Sequence, residues 1–218
     1  MLIAVPLSDK DFDKNLAFCK EKGADVTELR VDLFENPNPE AVLVAIQKVQ
    51  REGMKTILTV RSEREGGRRV ENRLEIFKAC APYSDYTDVE LSSTDLLSVV
   101  RDTVKASGKK LIISYHNFEA TPPAWVIREI FREARSKGAD LVKVSVKANS
   151  YQDVAKLLCA SSEDTGEKVL IAMGDYGKVS RVVGFAFRSV ISYAYVGDAV
   201  APGQLSLEEL VKIRSLLF

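Results

Sequence analysis

The chain has 218 residues, 46% of them hydrophobic and 28% charged, enough to bury one sizeable core and more than a simple sandwich or bundle needs. Lysine plus arginine and aspartate plus glutamate both number 31, so the zero formal charge gives no reason to expect nucleic acid or an anionic membrane as partner. No apolar run approaches a membrane span and the chain opens into Leu2-Ile3-Ala4-Val5-Pro6-Leu7 without a basic leader, so a cytoplasmic protein is expected.

Short stretches rich in Val and Ile alternate with segments of helical period along the whole length. Strands are expected at 2–7, 26–32, 55–61, 86–91, 109–116, 141–147, 168–174 and 191–197. Helices with recognisable ends lie between them: Asn38-Pro39 leads into Val42, Leu43, Ile46 and Val49, Thr121-Pro122 and Gly138 bracket another, and Ser206 with Glu209 forms a capping box for the last. Gly23-Ala24-Asp25-Val26 and Gly138-Ala139-Asp140-Leu141 both lead from a helix into a strand, a faint repeat of the kind a cyclic architecture leaves. An open doubly wound sheet usually has fewer strands and a glycine-rich first turn, whereas Pro6-Leu7-Ser8-Asp9 stands there. Eight βα units therefore predict one α/β domain over residues 1–218, a (β/α)8 TIM barrel. Cys19, Cys80 and Cys159 are odd in number, far apart and each within a helical pattern, which suits neither disulfides nor zinc and predicts packing residues. There is no metal, nucleotide or flavin signature, and no cofactor is expected.

Side chains alternate across a strand, so Glu28, Arg30 and Asp32 share a face opposite Leu29 and Val31. The apolar face must meet the helices. By the same rule Arg61, Asp88 with Glu90, His116 and Lys143 point inward, mostly near the C-terminal ends of their strands, where barrels carry their sites. An ion-pair network that only stabilises is the plain alternative, but dehydrating each ion costs several kcal/mol in practice, which makes so many buried charges an expensive core. Asp32 and Asp88 fit equally well as scaffold partners of Arg30 and Arg61 or as members of the reacting centre.

His116, the sole histidine, and Lys143 each interrupt an otherwise apolar strand. A strand lysine beside an imidazole suits imine chemistry, in which the amine attacks a ketone and the histidine moves a proton. The amine must be neutral to attack, and lowering a lysine from about 10.4 to about 7–8 takes roughly 4 kcal/mol. Desolvation, Arg30 and Arg61 push that way while Glu28 and Glu90 oppose it, and the sequence sets no net direction. Glu65 is placed to fix the histidine tautomer, with Glu63 as its rival.

Together these residues resemble type I 3-dehydroquinate dehydratase, the imine-forming barrel enzyme of the shikimate pathway. The resemblance rests on seven fragments in order: Glu28-Leu29-Arg30-Val31-Asp32, Arg61-Ser62-Glu63-Arg64-Glu65-Gly66-Gly67, Asp88-Val89-Glu90, Ser114-Tyr115-His116-Asn117-Phe118, Lys143, Met173-Gly174 with Ser180-Arg181, and Ala201-Pro202-Gly203-Gln204. It implies that Lys143 forms a Schiff base with the C3 ketone of 3-dehydroquinate, that His116 acts as base and then acid, and that Glu65 orients His116. It further implies that Glu28, Arg30 and Arg61 hold the ring hydroxyls, that Arg181 and Gln204 bind the carboxylate, that Met173 packs on the ring, and that the chain is a homodimer. Arg181 is expected near the start of the seventh helix, where the helix dipole would add to its charge. Gly66-Gly67 and Pro202-Gly203-Gln204 suggest mobile segments able to cover the site. Two departures from the family pattern bear on affinity: Val200 stands where many bacterial members carry serine, and Ser145 where alanine is usual. A class I aldolase-like barrel would also use a strand lysine, and a barrel that binds a polyhydroxy acid without turnover would use the same charges. His116 beside the lysine favours dehydration over both.

Overall fold

A computed structural model describes residues 1–197 and 203–217. Strands β1 (Leu2–Leu7), β2 (Val26–Arg30), β3 (Lys55–Thr59), β4 (Tyr86–Glu90), β5 (Lys110–Asn117), β6 (Leu141–Lys147), β7 (Lys168–Met173) and β8 (Ile191–Tyr195) alternate with helices α1 (Phe12–Lys22), α2 (Pro39–Arg51), α3 (Arg73–Cys80), α4 (Thr94–Ala106), α5 (Ala124–Ser136), α6 (Tyr151–Ser161), α7 (Lys178–Val183) and α8 (Leu207–Leu217). All strand pairs are parallel, in the order β7-β6-β5-β4-β3-β2-β1-β8. The last seam, between β7 and the lead into β8, is one bridge: the Lys168 N–H donates to Arg188 O at 3.2 Å and Val190 N–H to Lys168 O at 2.9 Å. The result is the expected (β/α)8 barrel, laddered at seven seams and pinned at the eighth.

The helix ends follow the local chemistry. Asn38 Oδ1 accepts the Ala41 N–H at 3.0 Å with Pro39 at the first helical position of α2. Ser206 and Glu209 cap α8 reciprocally, at 2.8 and 3.2 Å. Leu205–Ser206 also forms a two-residue strand, β9, beside β8, an element absent from the sequence pattern because two residues carry no periodicity. Several strands stop short of their expected ends. After Arg30 the chain turns into a 3-10 helix, Val31–Leu33, because the Asp32 carboxylate folds back to accept the Arg30 guanidinium at 2.9 and 2.7 Å and the Arg61 N–H at 3.2 Å.

The barrel interior has two tiers. Ala4, Val26, Ile57, Tyr86, Ile112, Leu141, Val169 and Ile191 fill the end where the strands begin, and two residues further along the same inward faces stand Glu28, Thr59, Asp88, Ser114, Lys143 and Tyr193. The outward positions Leu29, Leu58, Val89, Ile113, Val142 and Val144 join the larger core beneath the helices. Ile112→Ala, a truncation in the apolar floor directly below Ser114, is expected to cost about 2–5 kcal/mol in chemical denaturation; a loss below about 1 kcal/mol would mean that the floor is not close-packed. Cys19 and Cys80 are buried, and burial pushes both thiols up to about 12. Cys159 is exposed, contrary to the packing role expected of it, since it faces away from the buried side of α6.

Candidate active site

The polar tier opens into a cavity of about 510 Å³ at the C-terminal end of the barrel. Strand parity decides what reaches it. Ser114 is paired with Lys143 across the β5–β6 seam and His116 with Ser145, so the imidazole stands one step above the amine on the same inward face, and both line the cavity. Of the other site residues named from the sequence, Glu28, Arg30, Arg61, Glu65, Met173, Arg181 and Gln204 line it too. Ser145 is a further lining residue, while Ala201, Pro202 and Val200 lie outside the described residues.

Lys143 is buried, and its Nζ donates to Asp88 Oδ2 at 2.9 Å, Glu28 Oε1 at 3.2 Å and the Tyr193 hydroxyl at 3.2 Å. Burial works against the ammonium, but the Asp88 and Glu28 carboxylates outweigh it and hold the amine above the usual lysine range. The site therefore keeps a charged lysine, the reverse of the neutral nucleophile that imine chemistry requires. Glu90, one of the two carboxylates weighed from the sequence, turns away: it bonds Arg61 at 3.1 Å, Arg73 at 2.7 Å, the Ser62 N–H at 2.8 Å and the Ser93 hydroxyl at 2.7 Å. Asp88 takes its place. It is the ion-pair partner of Arg61, at 2.9 Å, and of Lys143 as well, so it is both scaffold and part of the centre.

Burial opposes charge on Glu28 and Asp88 too, yet Lys143 and then Arg30 hold the Glu28 carboxyl below the usual range, and Arg61 and then Lys143 hold that of Asp88 below it. Glu28 Oε1 gathers Thr59, Lys143 and Tyr193 at 3.0–3.3 Å. Arg61 spends its guanidinium on Asp88, Glu90 and Ser114, and Arg30 is paired with Asp32. The sequence alone does not single out Tyr193, because an aromatic in a strand reads as core. Its two-residue offset from Ile191 was the available signal, since that parity faces the interior and sets the ring 4.6 Å from Lys143 Nζ.

His116 is held from one side. Glu65 Oε2 lies 2.8 Å from Nδ1 and accepts the His116 backbone N–H at 3.1 Å, while Glu65 Oε1 accepts the Ser92 hydroxyl. Glu63 is exposed and Glu65 buried, so the structure selects between the two carboxylates named above. Gly67 makes this possible: a Cβ there would lie 2.1 Å from Arg61 O, so a glycine is needed where the loop folds back to present Glu65. With Nδ1 bound to a carboxylate, the proton sits on Nδ1 and Nε2 carries the free lone pair. Burial, then Arg61 and Lys143, hold the imidazole well below its usual range, so it is neutral.

Arg181 reaches from α7 to the backbone of β8. It is buried and donates to Gly203 O at 3.0 Å and Tyr193 O at 3.3 Å, and burial lowers it to about 10, which leaves it charged at neutral pH. It lies in the last turn of the six-residue α7 rather than at a helix start, so the expected helix-dipole contribution is absent.

The chain is similar throughout to proteins of one kind. The family model of type I 3-dehydroquinase matches residues 3–218. A 3-dehydroquinate dehydratase of Aquifex aeolicus is 55% identical over 218 residues, covering 100% of this chain and 99% of the relative, and its crystal structure superposes with a TM-score of 0.98 over 100% of this chain and 99% of that one. A 3-dehydroquinate dehydratase of Hydrogenobaculum is 50% identical over 218 residues, with 100% and 99% covered. A type I 3-dehydroquinate dehydratase of Clostridium difficile, solved with covalently modified comenic acid, is 29% identical with a TM-score of 0.91 over 99% of this chain and 92% of that one.

Proposed function

The chain belongs to the type I 3-dehydroquinase family, and from that premise we propose that it dehydrates 3-dehydroquinate to 3-dehydroshikimate through an imine on Lys143 with His116 as base and acid. The observation that carries this reading is the convergence of a buried amine and a carboxylate-oriented, neutral imidazole on one cavity. Lys143 Nζ attacks the C3 carbonyl carbon, and the carbonyl oxygen leaves as water. The proton shed by the ammonium has acceptors within hydrogen-bond reach in Glu28 and Asp88. The iminium restores a positive charge where those two carboxylates already stabilise one, so the pocket that disfavours the free amine favours the covalent intermediate. His116 Nε2 removes the C2 proton and the electron pair passes to the imine nitrogen. The resulting enamine expels the C1 hydroxyl as water with the proton returned from His116, and a second water hydrolyses the iminium to free Lys143.

In this reading Arg30, Arg61 and Glu28 hold ring hydroxyls, Arg181 and Gln204 hold the carboxylate, Met173 packs on the ring and Glu65 fixes the tautomer of His116. No cofactor enters any step. The partners are the small substrate and, as the family implies, a second copy of the chain, in the cytoplasm. Among the described residues no helix is long and apolar enough to cross a membrane.

Purified protein given 3-dehydroquinate should raise absorbance as the conjugated enone forms; a flat trace with folded protein would eliminate the proposal. The pH profile follows from the depressed imidazole. Because His116 stays neutral as pH falls through about 6.5, kcat/KM should hold level there and decline only at lower pH. Half-loss of kcat/KM at or above about pH 6.5 would contradict His116 as the base in this environment.

A further inference from the structure

The cavity holds a cation whose role the proposed chemistry leaves open. Lys143, Arg61 and Arg30 are matched by Asp88, Glu28, Glu90 and Asp32. Among the described residues, Arg181 and Lys147 have no carboxylate partner: Arg181 meets carbonyl oxygens, and Lys147, the last residue of β6, makes no ion pair. Both line the cavity. Their positions are linked through two glycines. Lys147 Nζ and Cε lie 3.2 and 3.4 Å from the point where a Cβ on Gly174 would stand, and Gly174 has a left-handed φ of +90°. Gly203 in turn packs its bare Cα on the Gly174 carbonyl, where a Cβ would come within 1.9 Å of the oxygen, and its own carbonyl accepts Arg181 Nε at 3.0 Å. Gly174 and Gly203 thus bring two uncompensated cations to the two sides of one backbone contact, on the cavity wall that also carries Met173 and Gln204.

We infer that Lys147 is a substrate-recognition residue that, together with Arg181, cradles the carboxylate of the ring acid and selects anionic ligands over uncharged ones of the same shape. Arg181 supplies a planar fork locked by carbonyl contacts, and Lys147 a half-buried point charge whose field the substrate carboxylate satisfies. The inference rests on the substrate class proposed above and adds the residue that discriminates its charge.

The test is a thermodynamic cycle by calorimetry. Quinate has the carboxylate and ring hydroxyls but no ketone, so it cannot form an imine; quinamide replaces the carboxylate by an uncharged amide. Lys147→Met should weaken quinate about tenfold, the size of one charge-assisted hydrogen bond, while quinamide changes less than about twofold. Lys147→Arg should recover most of the quinate affinity. In turnover, Lys147→Met should raise KM for 3-dehydroquinate about tenfold and leave kcat within about twofold. Equal losses for quinate and quinamide, or no loss for either, would overturn the inference. Failure of the wild-type protein to turn over 3-dehydroquinate would instead sink the dehydratase reading, and would leave the quinate and quinamide comparison standing.

Discussion

Replacing His116 by alanine is expected to lower kcat by about 10²–10⁴-fold, the range for removal of a general acid–base group, while borohydride still traps substrate on the protein. The two effects separate because the imidazole and the amine have different tasks and different supports. In the proposed mechanism imine formation draws on Lys143, Glu28, Asp88 and Tyr193, none of which hydrogen-bonds to the ring. Proton removal, in the same proposal, draws on a neutral imidazole whose tautomer is fixed by Glu65 at 2.8 Å. Near-wild-type turnover in this variant would mean that another group takes the C2 proton. Loss of trapping together with turnover would mean that His116 is needed for the imine itself.

Lys143→Ala should abolish trapping and reduce turnover by on the order of 10⁵-fold or more, because no other electron sink for the C2 carbanion is built into the site. The same change carries a stability cost. Lys143 neutralises two buried carboxylates, and removing one partner of a buried pair costs about 3–5 kcal/mol; Arg61, which still faces Asp88, places the expected value at the lower end. The sign of its pH dependence follows from the depressed Glu28 and Asp88 carboxyls. Their pairing stabilises the fold above the unfolded carboxylate range, roughly pH 4, and is lost as pH falls through the folded values. Without the lysine those carboxyls are less depressed, so the deficit should be full from neutrality down to about pH 4 and shrink only as pH falls further, through the folded values. A variant as stable as wild type at neutral pH would show that the two carboxylates are not held by this amine.

Much of this arrangement was legible because strand parity is a strong constraint. Once Val26, Ile57, Ile112 and Leu141 face the barrel interior, Glu28, Thr59, Ser114 and Lys143 must follow two residues later. His116 and Lys143 stood out as polar groups in apolar strands. Parity gives the side, however, and not the depth or the partner. That is why the sequence leaves Asp88 open between scaffold and centre although it serves both, and sets Glu90 beside Lys143 although Arg61 and Arg73 hold it. The charge state of Lys143 is the balance of the cost of burying its charge against two contacts near 3 Å, and no pattern in the chain encodes it. Tyr193 and Lys147 escaped for a different reason. An aromatic in a strand and a lysine at a strand end are common in any soluble protein, and only the cavity around them gives them meaning. The two-residue β9 and the short α7 fall below the length at which periodicity carries information.

The most direct measurement is borohydride reduction of the wild-type protein in the presence of 3-dehydroquinate, followed by peptide mass mapping. A reduced ring adduct on Lys143, at up to one per chain, is the predicted result. Absence of any adduct under conditions where the substrate is consumed, or an adduct on Lys147 or another lysine in place of Lys143, would contradict it.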